Sequence, residues 1–304
     1  MEHLFLKVSE EYDDIRIDKC IQLLLEKHSR TYIQKLIKDG NVLLNSKTAS
    51  ASNKVYLDDI IELSIPDAVE LDIKPENIPL DILYEDDDIV IVNKPKGMVV
   101  HPAPGHYSGT MVNALLYHCK GNLSGINGIL RPGIVHRIDM NTTGSVIICK
   151  NNESHQVISD LLKVHGIDRR YRALVHGRFI EESGTIEGAI GRNPNDRKKM
   201  MIHAPNGKPA VTHYKVLKQF DKYAYIECKL ETGRTHQIRV HMASINHPIV
   251  GDDVYSNRKE EFRLEGQTLH AWFLGFNHPK TGEYLEIEAP LPNYFLHLLD
   301  ILNE

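Results

Sequence analysis

Asp139 is the residue of this chain whose neighbours most invite chemistry. It follows the pair His136-Arg137 and precedes the polar run Asn141-Thr142-Thr143-Gly144, after which Ser145-Val146-Ile147-Ile148-Cys149 turns β-branched. Polar turn residues ahead of a β-branched run predict a loop feeding a strand, so the carboxylate is expected at the edge of a sheet and not inside a core. A carboxylate fixed there can serve as nucleophile, acid or base. The plainer alternative is a turn ion pair with Arg137, and the segment alone leaves both open.

The elements that position such a group must come from a chain of 304 residues, long enough for two domains and a sizeable core. Hydrophobic and charged fractions of 41% and 25% are those of a globular protein and exclude a disordered one. No apolar run approaches the roughly 18 residues of a membrane span, and Met1-Glu2-His3-Leu4 opens no signal peptide, so a cytoplasmic protein with no membrane partner is expected. The cysteines Cys20, Cys119, Cys149 and Cys228 form no C-x-x-C and read as small apolar residues. The histidines include no H-E-x-x-H, and His236 and His241 are five apart, so no metal is expected. Lys94-Pro95-Lys96-Gly97 lacks the spacing of a phosphate loop, and the glycines from Gly121 to Gly128 follow a helix instead of a strand, so no cofactor is expected either. Net charge is −5, which by itself argues against a nucleic-acid partner, but from 128 to 240 there are 19 Lys and Arg against 11 Asp and Glu. A basic region inside an acidic chain points to a local polyanion site, a solvated charged face being the alternative.

Taken in order, Ile17, Cys20, Ile21, Leu24 and Leu25 have the spacing of a helix that buries one face. A second helix is predicted with Ser29 as N-cap, Ile33, Leu36 and Ile37 as its apolar stripe and Gly40 as its stop; Arg30, Lys35 and Lys38 lie on its other face. Strands are predicted at 41–45 and 59–63. This stretch resembles the S4 RNA-binding domain through Arg16-Ile17-Asp18, Ser29-Arg30, Ile37, Gly40-Asn41-Val42-Leu43-Leu44-Asn45 and Asp59-Ile60-Ile61, departing from it at Ser46 and Asp58, where glycine is usual. The resemblance covers residues 14–65 and implies a basic helix face laid on structured RNA, with Arg30, Lys35 and Lys38 contacting phosphates. The expected organisation is this domain over 1–67, a linker over 68–79 and a catalytic domain over 80–304.

Beyond the linker, 80–88 turns into the apolar strand Ile89 to Asn93, and a helix over 110–118 buries Met111, Ala114, Leu115 and Tyr117. A further helix over 155–166 is expected to place Val157, Ile158, Leu161 and Leu162 inside. Arg169-Arg170-Tyr171-Arg172 opens a strand whose arginines suit phosphate neutralisation and whose tyrosine suits base stacking. A basic hairpin or loop spans 192–208, strands follow over 210–217 and 223–231, and Gly233 makes a turn after which Ile238 and Arg239 fall on alternate faces. Gly251 to Tyr255 reads as another turn, and 270–276 and 284–289 supply closing strands. The fold class is α+β, with a large mixed, mostly antiparallel sheet beside a small N-terminal α/β module.

With these segments in view, residues 80–289 closely resemble the RluA/RluD family of pseudouridine synthases, particularly the large-subunit rRNA type that carries an S4 domain. The motifs are Ile89 to Pro102, His136 to Gly144, Tyr171 to Gly177 and Thr232 to His241; Ile138, Thr143, Cys149 and Arg169 are conservative departures. The resemblance implies an isomerase that breaks the N-glycosidic bond of a uridine in RNA, turns the uracil over and joins its C5 to the ribose, without metal or cofactor. It implies Asp139 as the essential carboxylate, acting at ribose C1′ or on the 2′ proton, Arg239 as its buried partner, Tyr171 stacked on the uracil and Ile238 packed beneath the base. Arg137 becomes the wedge that fills the gap left by the extruded base, His136 a supporting residue, and Arg234 either a phosphate contact or a brace of its turn. The implied partner is structured RNA, 23S (large-subunit) rRNA first and tRNA second, bound by a monomer. Two other classes stay open: a non-catalytic RNA-binding ribosome-assembly factor, and a carboxylate-pair glycosidic hydrolase, which would want a second acid near Asp139.

Overall fold

The computed structural model describes residues 2–25, 30–65, 73–102, 105–126, 132–196, 198–259 and 261–304, and the chain divides into two compact units, Met1–Glu70 and Leu71–Glu304. The first unit runs β1 (Glu2–Lys7), β2 (Ile15–Arg16), α1 (Ile17–Leu24), α2 (Arg30–Lys38), β3 (Val42–Leu44), β4 (Lys47–Thr48), β5 (Lys54–Val55) and β6 (Ile60–Ile65). Ile17 and Ile21 of α1 meet Ile33, Leu36 and Ile37 of α2 over Val42, Ile61 and Leu63 of an antiparallel sheet ordered β1-β6-β3-β4. Gly40, at φ 78°, closes α2 in the left-handed region that glycine enters without strain. Ser46 and Asp58 also take positive φ, at 62° and 70°, so these turns keep a glycine-like backbone without glycine.

Asp18 is fully buried and accepts hydrogen bonds from Gln34 at 2.7 Å and from Arg16 and Arg30 at 3.0 Å. Burial works against its charge, but bonds from Gln34, Arg16 and Arg30 hold the carboxyl below its usual range. Arg30, read from sequence as a phosphate contact, is thereby tied to Asp18 and couples α2 to α1. Lys38 is exposed, whereas the side chain of Lys35 and the expected cap Ser29 lie outside the described residues.

The second unit contains β7 (Ile82–Glu85), β8 (Ile89–Lys94), α3 (Met111–His118), β9 (Thr143–Cys149), α4 (Asn152–Lys163), β10 (Asp168–His176), β11 (Ser183–Glu187), β12 (Ile190–Arg192), β13 (Met200–Ile202), β14 (Val211–Gln219), β15 (Tyr223–Leu230), α5 (Gln237–Ser244), β16 (Leu269–Asn277), β17 (Tyr284–Glu288) and α6 (Asn293–Asn303). Its nine-stranded sheet runs β11-β14-β15-β10-β16-β9-β8-β7, with β17 also on β16, and among the described residues only the β16–β9 pairing is parallel. In the apolar runs of β8 and β9 alternate residues serve two cores: Val90, Val92, Val146 and Ile148 meet α3, and Ile89, Ile91, Ile147 and Cys149 meet Ile158 of α4.

Several sequence expectations need correction. Residues 73–79 are not a free linker: Ile73 is buried in the core, and Asn113 of α3 donates to the Lys74 carbonyl at 2.9 Å. Helix α4 starts earlier than expected because Asn151 caps it, and Val157 and Tyr117 are exposed instead of buried. The segment after Gly233 is the helix α5, and the chain ends in α6, which buries Phe295 and Leu298.

Where β9 and β16 run parallel, their backbones pair at Thr143–His270 and Gly144–Ala271. Gly144, at φ 108°, makes this approach possible, since a Cβ there would stand 2.2 Å from the Ala271 carbonyl oxygen. Beyond that contact the strands part, and β17 takes up the edge of β16 from Phe273 onward. The segment before Asp139 lies along the edge of β9 thus left open: Cys149 donates to the Gly133 carbonyl at 2.9 Å, and Ile147 N–H donates to Nε2 of His136 at 2.9 Å. The sheet's split seats the loop that carries Asp139.

Candidate active site

Two devices fix the loop on either side of Asp139. His136 accepts the Ile147 N–H through Nε2, which requires an unprotonated nitrogen there; burial and the charge of Arg169 push its pKa down to about 3. On the far side, the fully buried Lys94 reaches the carbonyls of Pro95, Met98 and Met140 at 2.8, 2.9 and 2.8 Å. Three acceptors match the three N–H groups of an ammonium. Burial pushes Lys94 down to about 7, and the neighbouring Asp139 charge opposes that shift. Gly97 N–H also reaches the Met140 carbonyl, at 3.1 Å.

Arg239 arrives on α5. Its Nη1 donates to Oδ2 of Asp139 at 2.9 Å, while Nε and Nη2 grip Asp252 at 2.7 and 2.9 Å. Asp252 is itself buried and also accepts from the N–H groups of Val254 and Tyr255. Burial disfavours the guanidinium charge, but Asp252 and Asp139 outweigh it and raise the Arg239 pKa above its ordinary value. One guanidinium is thus locked by a fully occupied acid and presents its remaining edge to Asp139. Asp252 is the second acid that a hydrolase would want, yet it is closed off by its own partners.

Helix α5 owes its place to polar contacts more than to an apolar stripe. Oε1 of Gln237 accepts from Thr232 at 2.8 Å and from Arg234 N–H at 2.9 Å, and its amide donates to the Val211 carbonyl and to Thr212. His236 precedes the helix at φ 55°. Tyr255 accepts the Met200 N–H at 2.8 Å and lies 2.8 Å from Nδ1 of His236, whose Nε2 faces Asp139 across 3.9 Å.

Tyr171 stands on β10, where the pairing with β16 slips by one residue between Arg170 and Tyr171. Such a bulge re-aims a side chain. Tyr171, Ile238, Asp139, Arg239, Arg234 and Arg137 all line one recess of about 50 Å³. Burial and the Asp139 charge raise the Tyr171 pKa, with Arg169 opposing, so the phenol is neutral near pH 7. Arg137 is exposed, and it lines this recess, a second of about 370 Å³ and a groove of about 1020 Å³. Arg234 lines the recess and the groove while donating to the Pro209 carbonyl at 3.0 Å, so it braces its turn as well as facing the groove.

The structure therefore gathers Asp139, Tyr171, Ile238, Arg239, Arg234 and Arg137, places His136 behind them as a strut, and leaves Arg30 and Lys38 on the first unit. Sequence reading missed Asp252, Lys94, His236, Gln237 and Tyr255. Lys94 alone carried a local signal, as a cation closing an apolar strand. Among the described residues, metal-ligand chemistry gathers at Asp86, Asp88 and His278, outside this site; Asp86 accepts from Tyr84 at 2.7 Å and His278 at 2.8 Å, and Asp88 from Asn151 at 2.7 Å, so internal bonds already use these oxygens.

A family model described as RNA pseudouridylate synthase matches residues 88–244, and a Bacillus subtilis protein named uncharacterized RNA pseudouridine synthase YlyB is 46% identical over all of this chain and 99% of its own. The chain belongs to the RNA pseudouridylate synthase family. It is an isomerase acting on RNA. A Neisseria meningitidis relative named ribosomal large subunit pseudouridine synthase D is 42% identical over 94% of this chain and 78% of its own. The solved human RNA pseudouridylate synthase domain containing 1 aligns with TM-score 0.58 and 26% identity, covering 79% of this chain and 98% of that one. In this pseudouridylate synthase the matched residues run from β8 through α5 and so include Lys94, Asp139, Tyr171, Ile238 and Arg239. Asp252, which holds Arg239, lies just beyond them.

Proposed function

We propose that this enzyme isomerises specific uridines of 23S (large-subunit) rRNA to pseudouridine with Asp139 as the essential carboxylate. The observation that carries this reading is the Arg239 guanidinium, locked by Asp252 and bonded at 2.9 Å to Asp139 in the recess that Tyr171 and Ile238 line. The Arg239 guanidinium fixes the orientation of the carboxylate that a nucleophile or base would use. Asp139 acts on the ribose while the base, freed from C1′, turns over against Tyr171 and Ile238 and rebonds through C5. No atoms are gained or lost overall. Arg137, at the junction of the three recesses, fills the gap that the extruded base leaves, which offsets part of an unstacking cost of a few kcal/mol. The relatives named ribosomal large subunit pseudouridine synthase D support rRNA over tRNA. The first unit resembles the S4 domain and adds RNA affinity; the enzyme works as a cytoplasmic monomer without metal.

The test is tritium release from 5-tritiated uridine in large-subunit rRNA taken from cells lacking the gene. Asp139→Asn keeps the shape and much of the hydrogen bonding but removes the ionisable carboxylate. Its expected rate is lower by at least about 10⁴-fold, the scale seen when a group acting directly in catalysis is removed. Product formation by this variant at a wild-type rate would sink the assignment.

A further inference from the structure

The three arginines at the start of β10 have different fates. Arg170 and Arg172 point to one face, where Arg170 meets Asp168 at 2.6 Å and lies over Phe273, and Arg172 meets Glu227 at 3.2 Å and lies over Trp272. Their charges are answered inside the protein. Arg169 shares the opposite face with Tyr171, as residues two apart on a strand do. It is 7% exposed, and among the described residues its Nε has no hydrogen-bond partner and its contact to a protein acceptor is the Glu231 carbonyl at 3.4 Å. A buried cation without a carboxylate is expensive to maintain. Gly233 makes room for it: a Cβ there would come within 2.7 Å of Nη1 of Arg169.

The groove that Arg169 lines, of about 1020 Å³, also receives Arg137, Arg234, Lys163 and His165, and among the described residues no Asp or Glu lines it. It adjoins the recess of Asp139 through Arg137, Tyr171 and Arg234, which line both. An anion is what this seat lacks, and the strand carrying the target base brings phosphodiesters to it. We propose that Arg169 is a built-in phosphate seat, its guanidinium binding a phosphodiester oxygen of the RNA strand beside the extruded uridine, with Gly233 kept small to hold the guanidinium in place. This rests on the reading of the chain as an enzyme of RNA and adds a contact that positions the strand.

The experiment measures filter binding of the full-length protein to large-subunit rRNA from cells lacking the gene, across a KCl series, together with single-turnover tritium release. Arg169→Met should weaken binding at 0.1 M KCl about tenfold and shrink the slope of log Kd against log salt by about 0.7 to 0.9, the share of one phosphate. The single-turnover rate at saturating RNA should fall by less than the affinity does. Arg169→Lys should recover part of the slope, and Gly233→Ala, which keeps every charge, should shift Kd in the same direction as Arg169→Met. Should Arg169→Met fail to fold by circular dichroism, Gly233→Ala decides alone. An unchanged slope in a folded Arg169→Met, or a rate loss at saturation with the slope intact, overturns the proposal and makes Arg169 a prop for Tyr171. If wild-type protein forms no product on this RNA, the substrate reading fails instead, and the slopes still judge Arg169.

Discussion

At the scale of residues, the site depends on charges that answer one another where water is scarce. Asp252 and Asp139 share Arg239, and only the guanidinium fork can serve both at once. Arg239→Lys is expected to cut the rate at least about 100-fold and to destabilise the fold by about 3 to 5 kcal/mol, because it leaves the buried Asp252 with an incomplete partner. Tritium release and urea unfolding check the two parts. Histidines give a second prediction. Burial, with Arg169 adding to it, holds His136 down at about 3, and burial, eased by the Ala289 carbonyl, holds His270 down at about 4. Burial also lowers His155, His236, His241 and His247. The unfolded chain binds protons near pH 6.5 that the folded protein refuses, so this stability is complete above that pH and is lost as pH falls toward about 4. Denaturation between pH 7.5 and 4.5 should show it, and His270→Gln should reduce the slope by about 1.4 kcal/mol per pH unit, one proton's worth. A profile flat across this window would contradict the buried, neutral state of these rings.

At the scale of elements, the parting of β9 and β16 makes the site. Gly144 sits where the two backbones press together, and a methyl group there would overlap the Ala271 carbonyl at a positive φ. Gly144→Ala is expected to destabilise the protein by about 3 kcal/mol or more, combining overpacking with backbone strain. Thermal unfolding measures this, and a stability within 1 kcal/mol of wild type, on the scale of an ordinary surface change, would show that the strands can separate there. The strand β9 was legible in its β-branched run. Helix α5 was not, because Ile238, Arg239, Val240 and His241 are buried around its whole circumference and leave no one-sided apolar stripe.

At the scale of the molecule, the two units keep separate cores, one around Ile17, Ile33 and Leu63 and the others on the large sheet. Removing residues up to Asp67 should therefore leave the large sheet folded. It should weaken binding to rRNA about tenfold or more while tritium release persists at raised protein concentration, since nonspecific phosphate contacts add affinity without doing chemistry. Unchanged affinity in filter binding would reduce the first unit to an appendage. The basic stretch from 128 to 240 divides in the same spirit: Arg170 and Arg172 are neutralised within the sheet, and Arg137, Arg169 and Arg234 line the groove.

The sequence by itself determined the family, the α+β class and the candidates Asp139, Tyr171, Ile238 and Arg239, because these sit in contiguous motifs whose local pattern is complete within a few residues. Tertiary structure alone decided what holds them. Asp252 looked like a turn residue and is the buried anchor of Arg239; His136, expected in a supporting role, braces the open edge of β9; Arg30, expected to contact phosphate, also pairs with Asp18. Each of these roles depends on a partner on another element, and a buried charge takes its meaning from the partner that the fold brings to it.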